Sequence, residues 1–165
     1  MQIIGVNGFG RIGRYFTRLS LENNSIDVAV VNDLADIDTL AHLFKYDSVH
    51  RGLKHSFSVQ ENCIVFENGK RIVFISEKNP EDIQWGKYGV NIVLESTGLF
   101  RTKELASKHF IGGAQKVIIS APSKSEDVKT LVLGVNDNLL SPNDRIISNA
   151  SCTTNSAAPM IKLIK

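Results

Sequence analysis

Two stretches of this sequence hold residues whose types and spacing can do chemistry. The first is Gly8-Phe9-Gly10-Arg11-Ile12-Gly13, which follows an apolar strand-like run and opens a helical pattern. In that setting Gly8 permits a tight turn, Gly10 lets a pyrophosphate approach the backbone, and Gly13 lets the helix pack close to the strand. The helix N-terminus then offers free N–H groups and a partial positive charge to phosphates. Asp33 lies 20 residues after Gly13 and directly follows Val28-Ala29-Val30-Val31-Asn32. A carboxylate there accepts hydrogen bonds from the adenine-ribose hydroxyls and repels a 2′-phosphate. No Arg or Lys occurs from Leu34 to Leu43, which favours NAD over NADP as cofactor. The alternative is a plain strand–turn–helix, with Asp33 as a turn or N-cap residue.

The second stretch is Ile146-Ile147-Ser148-Asn149-Ala150-Ser151-Cys152-Thr153-Thr154-Asn155, a strand that enters a cap-rich segment and then a helix. Ser151, Thr153 and Thr154 are candidate N-caps. A cysteine in the first helical turn has its thiolate stabilised by the helix dipole and the free N–H groups. The same N–H groups can hold an oxyanion if the sulfur attacks a carbonyl, which is the geometry of acyl chemistry through a thioester. Taken alone, a cysteine beside a cap is more often structural, and Cys63, in a strand-like run, reads as structural. A thiol nucleophile needs a base, yet none of His42, His50, His55 and His109 neighbours Cys152 in sequence. Each of the four reads as a surface or structural residue. No Cys/His pair has metal-ligand spacing, so no metal site is expected.

The elements that must position these residues are short, β-branched apolar runs alternating with helical patterns. Strands are predicted at Gln2–Asn7, Ile26–Asn32, Phe57–Gln60, Cys63–Glu67, Arg71–Ser76, Ile92–Glu95, Lys116–Ser120, Thr130–Gly134 and Arg145–Ile147. Helices are predicted at Arg11–Leu21, Asp36–Phe44, Thr102–His109 and Thr153–Ile164. The alternation argues for an α/β fold with a Rossmann-type, doubly wound and mainly parallel sheet. Residues 54–76, with a turn at Glu67-Asn68-Gly69, read as a small antiparallel excursion. The division expected is a dinucleotide-binding domain over 1–150, with 151–165 a cysteine-bearing helix that starts a truncated catalytic domain. That last helix is apolar (Ala157, Met160, Ile161, Leu163, Ile164) and has no C-cap glycine, so it needs a partner surface, as in a fragment of a longer protein.

Composition sets bounds. The chain has 165 residues, 42% hydrophobic and 22% charged, with a formal charge of +2. That is globular composition with no basic run to suggest nucleic acid. No apolar stretch reaches the roughly 18–20 residues of a membrane span, and no basic leader precedes the first strand. Two cysteines make no disulfide framework and suit a reducing, cytoplasmic setting.

Taken together, several segments resemble one family. They are Val6-Asn7-Gly8-Phe9-Gly10-Arg11-Ile12-Gly13-Arg14, Asn32-Asp33-Leu34, Lys45-Tyr46-Asp47-Ser48-Val49-His50, Glu95-Ser96-Thr97-Gly98-Leu99-Phe100, Val117-Ile118-Ile119-Ser120-Ala121-Pro122-Ser123 and Ser148 through Asn155. The chain resembles the N-terminal half of the phosphorylating glyceraldehyde-3-phosphate dehydrogenases, along essentially its whole length. The resemblance implies a glycolytic oxidoreductase, cytoplasmic and homotetrameric, that converts glyceraldehyde 3-phosphate, inorganic phosphate and NAD into 1,3-bisphosphoglycerate through a cysteine thioester. It implies that Cys152 is the nucleophile, with Ser151 and Thr153 as substrate and phosphate contacts. It places Gly8, Gly10, Arg11 and Ile12 on the pyrophosphate loop, and Asp33 on the ribose. Thr97, Gly98 and Ser120 fall along the adenosine and nicotinamide-ribose side, and Lys78 near the adenine. Lys78-Asn79-Pro80 replaces the family's frequent Arg-Asp-Pro, and Arg51 separates His50 from Gly52 where His-Gly is common. Asn155 matches a supporting position. The family's general-base histidine is implied to lie beyond Lys165, so this piece is expected to be inactive by itself. Two alternatives stand beside this reading. One is erythrose-4-phosphate dehydrogenase, against which Asn32-Asp33-Leu34 argues because that relative tends to carry Glu at the acid position. The other is an NAD-binding module with no catalysis of its own.

Overall fold

The computed structural model describes residues 1–164. Its strands are β1 (Gln2–Asn7), β2 (Ile26–Asn32), β3 (Phe57–Gln60), β4 (Cys63–Phe66), β5 (Arg71–Ile75), β6 (Ile92–Glu95), β7 (Lys116–Ile119), β8 (Lys129–Thr130) and β9 (Ile146–Ser148). Its α-helices are α1 (Arg11–Ser20), α2 (Ile37–Lys45), α3 (Lys103–Ser107) and α4 (Cys152–Ile164), with short 3-10 turns at Pro80–Asp82, Trp85–Tyr88, Lys108–Phe110 and Asp137–Leu139.

All nine strands join one sheet, in the order β3-β4-β5-β2-β1-β6-β7-β9-β8. The pairs β1–β2, β1–β6, β2–β5, β6–β7, β7–β9 and β8–β9 are parallel. Only β3–β4 and β4–β5 are antiparallel, so β5 belongs both to the expected excursion and to the parallel sheet. From β1 the chain winds outward through β2 and β5 on one side, then returns to β6 and winds through β7 and β9 on the other. The strand order therefore reverses between β1 and β6, and a sheet of this kind opens a crevice at that point, beyond the carboxyl ends of its strands.

Neighbouring residues within a strand feed different cores. Val31, Leu94 and Ile118 pack with Phe9, Leu40 and Phe44, whereas Val30, Val93 and Ile119 pack with Ile83, Trp85 and Ala106. Successive strand side chains point to opposite faces, so the sheet is covered on both sides. That explains the continuous apolar runs: neither face of the central strands meets water.

One predicted strand is corrected. Residues 130–134 were expected to be extended throughout, but β8 stops at Thr130. Polar side chains downstream capture the backbone that would have continued the ladder. Val132 N–H donates to Asn136 Oδ1 at 2.7 Å, and Gly134 N–H donates to Asp137 Oδ1 at 2.8 Å. Local Asn and Asp acceptors of this sort compete with sheet pairing. The predicted helix at 102–109 is also shortened: Thr102 is the N-cap of α3, accepting from Leu105 N–H, and the last turn is 3-10.

Asp36 caps α2 by accepting the Thr39 N–H at 2.8 Å. This hydrogen bond holds the Asp36 carboxyl below its ordinary value of 3.8. A carboxyl lowered by folding adds stability above its ordinary value and loses it as pH falls through the lower, folded one. Asp36→Ala should therefore destabilise α2 at neutral pH. The difference from wild type should vanish in strong acid; melts of both proteins at neutral pH and at about pH 2 check this.

Candidate functional site

The candidate residues come from loops that leave the same end of the parallel strands. The glycine loop follows β1, Asp33 follows β2, Lys78 follows β5, Thr97 and Gly98 follow β6, Ser120 follows β7, and Cys152 follows β9. The topology thus sets along one edge of the sheet positions up to 144 residues apart in sequence, from Gly8 after β1 to Cys152 after β9, three strands away.

The three loop glycines have separable reasons. Gly8 has a φ of +92°, and a Cβ there would meet Thr97 N at 2.7 Å. At Gly13 a Cβ would lie 2.2 Å from the Gly8 carbonyl oxygen, so the loop closes onto the helix only without a side chain. Gly10 differs. It is the N-cap of α1 with φ −69° and ψ −162°, a conformation any residue adopts, and a Cβ would meet nothing within 4 Å. The fold has no need of glycine at this position. Space kept open in front of a helix N-terminus is where an anion can approach. Arg11 and Ile12, the first residues of α1, are exposed, and their N–H groups fall among those a helix leaves without internal partners.

Asp33 is half-buried. Its Oδ2 accepts the Phe9 N–H at 2.7 Å and its Oδ1 accepts the Ala35 N–H at 3.0 Å. It is thus a turn residue, and it also ties the glycine loop to the end of β2. A cleft of about 290 Å³ runs past this carboxylate, lined by Gly8, Gly10, Leu34, Lys78, Thr97 and Leu99 among others. The residues fit a dinucleotide: an open glycine position, a helix N-terminus and a carboxylate share one cleft. Lys78 is exposed at its rim, Gly98 has φ +77° with open space around it, and Ser120 is half-buried, its N–H donating to the Glu95 carbonyl at 2.9 Å. Thr97 lines the cleft, but its hydroxyl is committed. It donates to Glu95 Oε1 and accepts the Leu99 N–H at 3.0 Å.

Cys152 is exposed and is the first residue of α4. Ser151 caps the helix, accepting the Thr154 N–H at 3.0 Å, and Thr153 Oγ1 lies 3.9 Å from Cys152 Sγ. The turn before the helix is held by Asn155, whose amide donates to the carbonyls of Asn149 (2.7 Å) and Ser151 (3.0 Å). Ala150 sits in this turn at φ +59°, 2% exposed, a left-handed conformation that L-residues resist. The strain aims the chain sharply from β9 into α4, as at other functional turns. Ala150→Val should cost about 2 kcal/mol and slow alkylation of Cys152 by iodoacetamide, whereas Ala150→Gly should be tolerated. Melting temperatures and labelling rates of the two variants check this.

All four histidines are engaged away from Cys152. His42 packs against Tyr46, His50 stacks on Tyr15 and pairs with Asp47, His55 pairs with Glu22, and His109 is buried against Trp85 and Glu95. Sequence reading passed over Asn7, Asn32, Glu95 and His109 as parts of the site. For Asn7, Asn32 and Glu95 the local signal was a polar residue ending an apolar strand, which turns also produce, and His109, in a 3-10 turn, lacked even that.

A parallel, doubly wound sheet with this glycine loop at its switch point is a Rossmann-type dinucleotide-binding domain. Residues 2–103 match the family described as glyceraldehyde 3-phosphate dehydrogenase, NAD binding domain. The chain belongs to the glyceraldehyde 3-phosphate dehydrogenase family, and its cofactor is NAD. It is 54% identical over 162 residues to the glyceraldehyde-3-phosphate dehydrogenase of Geobacillus stearothermophilus, covering 98% of this chain and 48% of that protein. It is 53% identical over 163 residues to the enzyme of Streptomyces coelicolor (98% and 48%), and 48% identical over 166 residues to that of Thermotoga maritima (99% and 49%). The chain spans about half the length of the curated relatives it matches.

Proposed function

We propose that this chain is the NAD-binding and nucleophile-bearing part of an enzyme that oxidises glyceraldehyde 3-phosphate to 1,3-bisphosphoglycerate, with NAD and inorganic phosphate. The observation that carries the reading is an exposed thiol on the first residue of α4, at the same edge of the sheet as the glycine loop. Cys152 Sγ attacks the aldehyde carbon. A sulfur–carbon bond forms, the carbonyl π pair moves to oxygen, and that oxygen takes up the proton displaced from the thiol. The N–H groups of the first turn of α4 face the developing oxyanion. Bound NAD supplies the hydride acceptor. With it bound, the carbon held on Sγ would lose its hydride to that acceptor and its hydroxyl proton to a base or water, leaving a thioester carbonyl. A phosphate oxygen then attacks the thioester carbon, the carbon–sulfur bond breaks, and the Cys152 thiolate is restored. Ser151 and Thr153 flank the sulfur and orient the substrate and the phosphate.

On the cofactor side, Gly8, Gly10, Arg11 and Ile12 receive the pyrophosphate at the start of α1. Asp33 accepts from the adenosine ribose. Lys78, Thr97, Gly98 and Ser120 line the rest of the path, with Thr97 contributing its methyl and backbone because its hydroxyl is engaged by Glu95. Asp33→Asn keeps the shape and removes the charge. It should weaken NAD binding about tenfold and narrow the preference over NADP, which calorimetric titration with both nucleotides measures.

The same reading carries a domain division near residue 150, a cytoplasmic setting and a homotetramer. The test uses the protein at the full length of its relatives. NADH should form only when glyceraldehyde 3-phosphate and phosphate are both present. A higher kcat/KM with erythrose 4-phosphate would replace this substrate with that one, and light scattering reads the assembly state.

A further inference from the structure

A buried polar chain, to which the proposed cofactor contacts and thiol chemistry assign no role, runs from the cleft lining at Asn7 and Asn32 into the interior. Asn7, Asn32, Glu95 and His109 are each 4% exposed or less. Three of them end strands: Asn7 closes β1, Asn32 closes β2 and Glu95 closes β6. Their side-chain hydrogen bonds lead from Asn32 to Glu95, with Asn32 also donating to the Glu77 carbonyl at 2.9 Å. Glu77 N–H donates to Asn32 Oδ1 (2.7 Å), the Asn32 amide donates to Asn7 Oδ1 (2.8 Å), and the Asn7 amide donates to Glu95 Oε2 (2.6 Å). From the other side, Trp85 Nε1–H donates to His109 Nδ1 at 3.1 Å, and His109 Nε2 lies 2.9 Å from Glu95 Oε2. An indole nitrogen only donates, so Nδ1 is the bare nitrogen of the ring and Nε2 carries the proton given to Glu95. Glu95 Oε1 accepts the Thr97 N–H at 2.9 Å and the Thr97 hydroxyl. Every group around this carboxylate is a donor. Glu95 is therefore a buried anion satisfied by hydrogen bonds, and among the described residues no lysine or arginine pairs with it.

We propose that Glu95 is a positioning residue of the NAD cleft, and that neutral His109, braced by Trp85, holds it in place. The proposal rests on the cofactor reading of that cleft. The residue after Asn7 is Gly8, the residue after Asn32 is Asp33, and Thr97 lies two residues after Glu95. One carboxylate thus ties together the strand ends that present the pyrophosphate turn, the ribose acid and the opposite wall. The wall position is exacting, because the site of a Gly8 Cβ is 2.7 Å from Thr97 N. Thr97 in turn accepts the Leu99 N–H, so the grip of Glu95 extends along residues 97–99.

The test is calorimetric titration of this chain with NAD, beside thermal melts of each variant. Glu95→Gln preserves size but turns an NH2 group toward donors, so the wall shifts. Its NAD dissociation constant should rise about tenfold, measured well below its melting temperature. His109→Gln can still donate to Glu95 and accept from Trp85, and should bind NAD within about twofold of wild type. His109→Leu can do neither and should lose affinity about as Glu95→Gln does. Trp85 is the one tryptophan, so its indole N–H resonance reports the brace directly, staying in His109→Gln and moving in His109→Leu. A folded Glu95→Gln that binds NAD like wild type overturns the proposal. If Glu95→Gln does not fold, the histidine pair decides, and equal affinities in His109→Gln and His109→Leu overturn it. A folded wild-type chain that binds no NAD overturns the cofactor reading itself, before any variant is compared.

Discussion

Gly10→Ala should leave the fold intact and remove NAD binding, while Gly13→Ala should damage the fold itself. The two glycines belong to one motif and sit three residues apart, yet the structure separates their reasons. A methyl at position 10 meets nothing within 4 Å, and the backbone there is extended, at φ −69°. Alanine at such a position narrows the unfolded ensemble, so the melting temperature should be unchanged or slightly higher. The same methyl would occupy open space at the N-cap of α1, on the approach proposed for the pyrophosphate. Rigid overlap there should raise the NAD dissociation constant at least about a hundredfold. At position 13 the methyl would lie 2.2 Å from the Gly8 carbonyl oxygen, which is backbone and cannot rotate away. Either α1 moves off β1 or the loop opens, at a cost of about 1–3 kcal/mol. Titration calorimetry and thermal melts on the pair resolve the two effects. Wild-type affinity in Gly10→Ala would show that the open space is incidental to the cofactor.

Why one half of this site is legible in sequence and the other half is not follows from where each signal lies. The glycine loop and Asp33 are readable because the phosphate turn is local and the acid stands at a fixed offset on the next strand. Ser151 and Cys152 are readable because caps and a first-turn thiol are also local. The Asn7–Glu95 and Glu95–His109 contacts are not. They join residues 88 and 14 apart through strand order, which a linear pattern does not carry. The early end of β8 at Thr130 has a local cause instead. Leu131, Val132 and Leu133 have strand-like residue types, but Asn136 and Asp137, just downstream, take the N–H groups a partner strand would need. Asn155 was readable only as a match to a supporting position, whereas its grip on the Asn149 and Ser151 carbonyls accompanies the left-handed turn at Ala150. Backbone of that kind in a non-glycine residue leaves no trace in residue type.

This chain alone should form no measurable NADH from glyceraldehyde 3-phosphate and phosphate, although the proposed nucleophile, Cys152, is exposed on α4. The reason is geometric. Attack of a thiol on an aldehyde, followed by loss of hydride from the carbon then held on sulfur, needs a base within hydrogen-bond reach, and every histidine of the chain is engaged elsewhere. Cys152 should nevertheless react with iodoacetamide faster than Cys63, because Cys152 is exposed and Cys63 is half-buried in β4. Mass spectrometry of the labelled chain measures this preference. Extending the chain to the full length of its relatives should restore turnover, and Cys152→Ser in that longer protein should lower kcat by at least about a thousandfold. NAD binding should survive the same substitution, since the glycine loop and Asp33 lie on other strands. Loss of both together would mean that the serine variant has unfolded α4 rather than removed a nucleophile, and the melting temperature tells these apart. Turnover in the short chain, with all four histidines still bound to Tyr46, Asp47, Glu22 and Glu95, would require a base other than histidine.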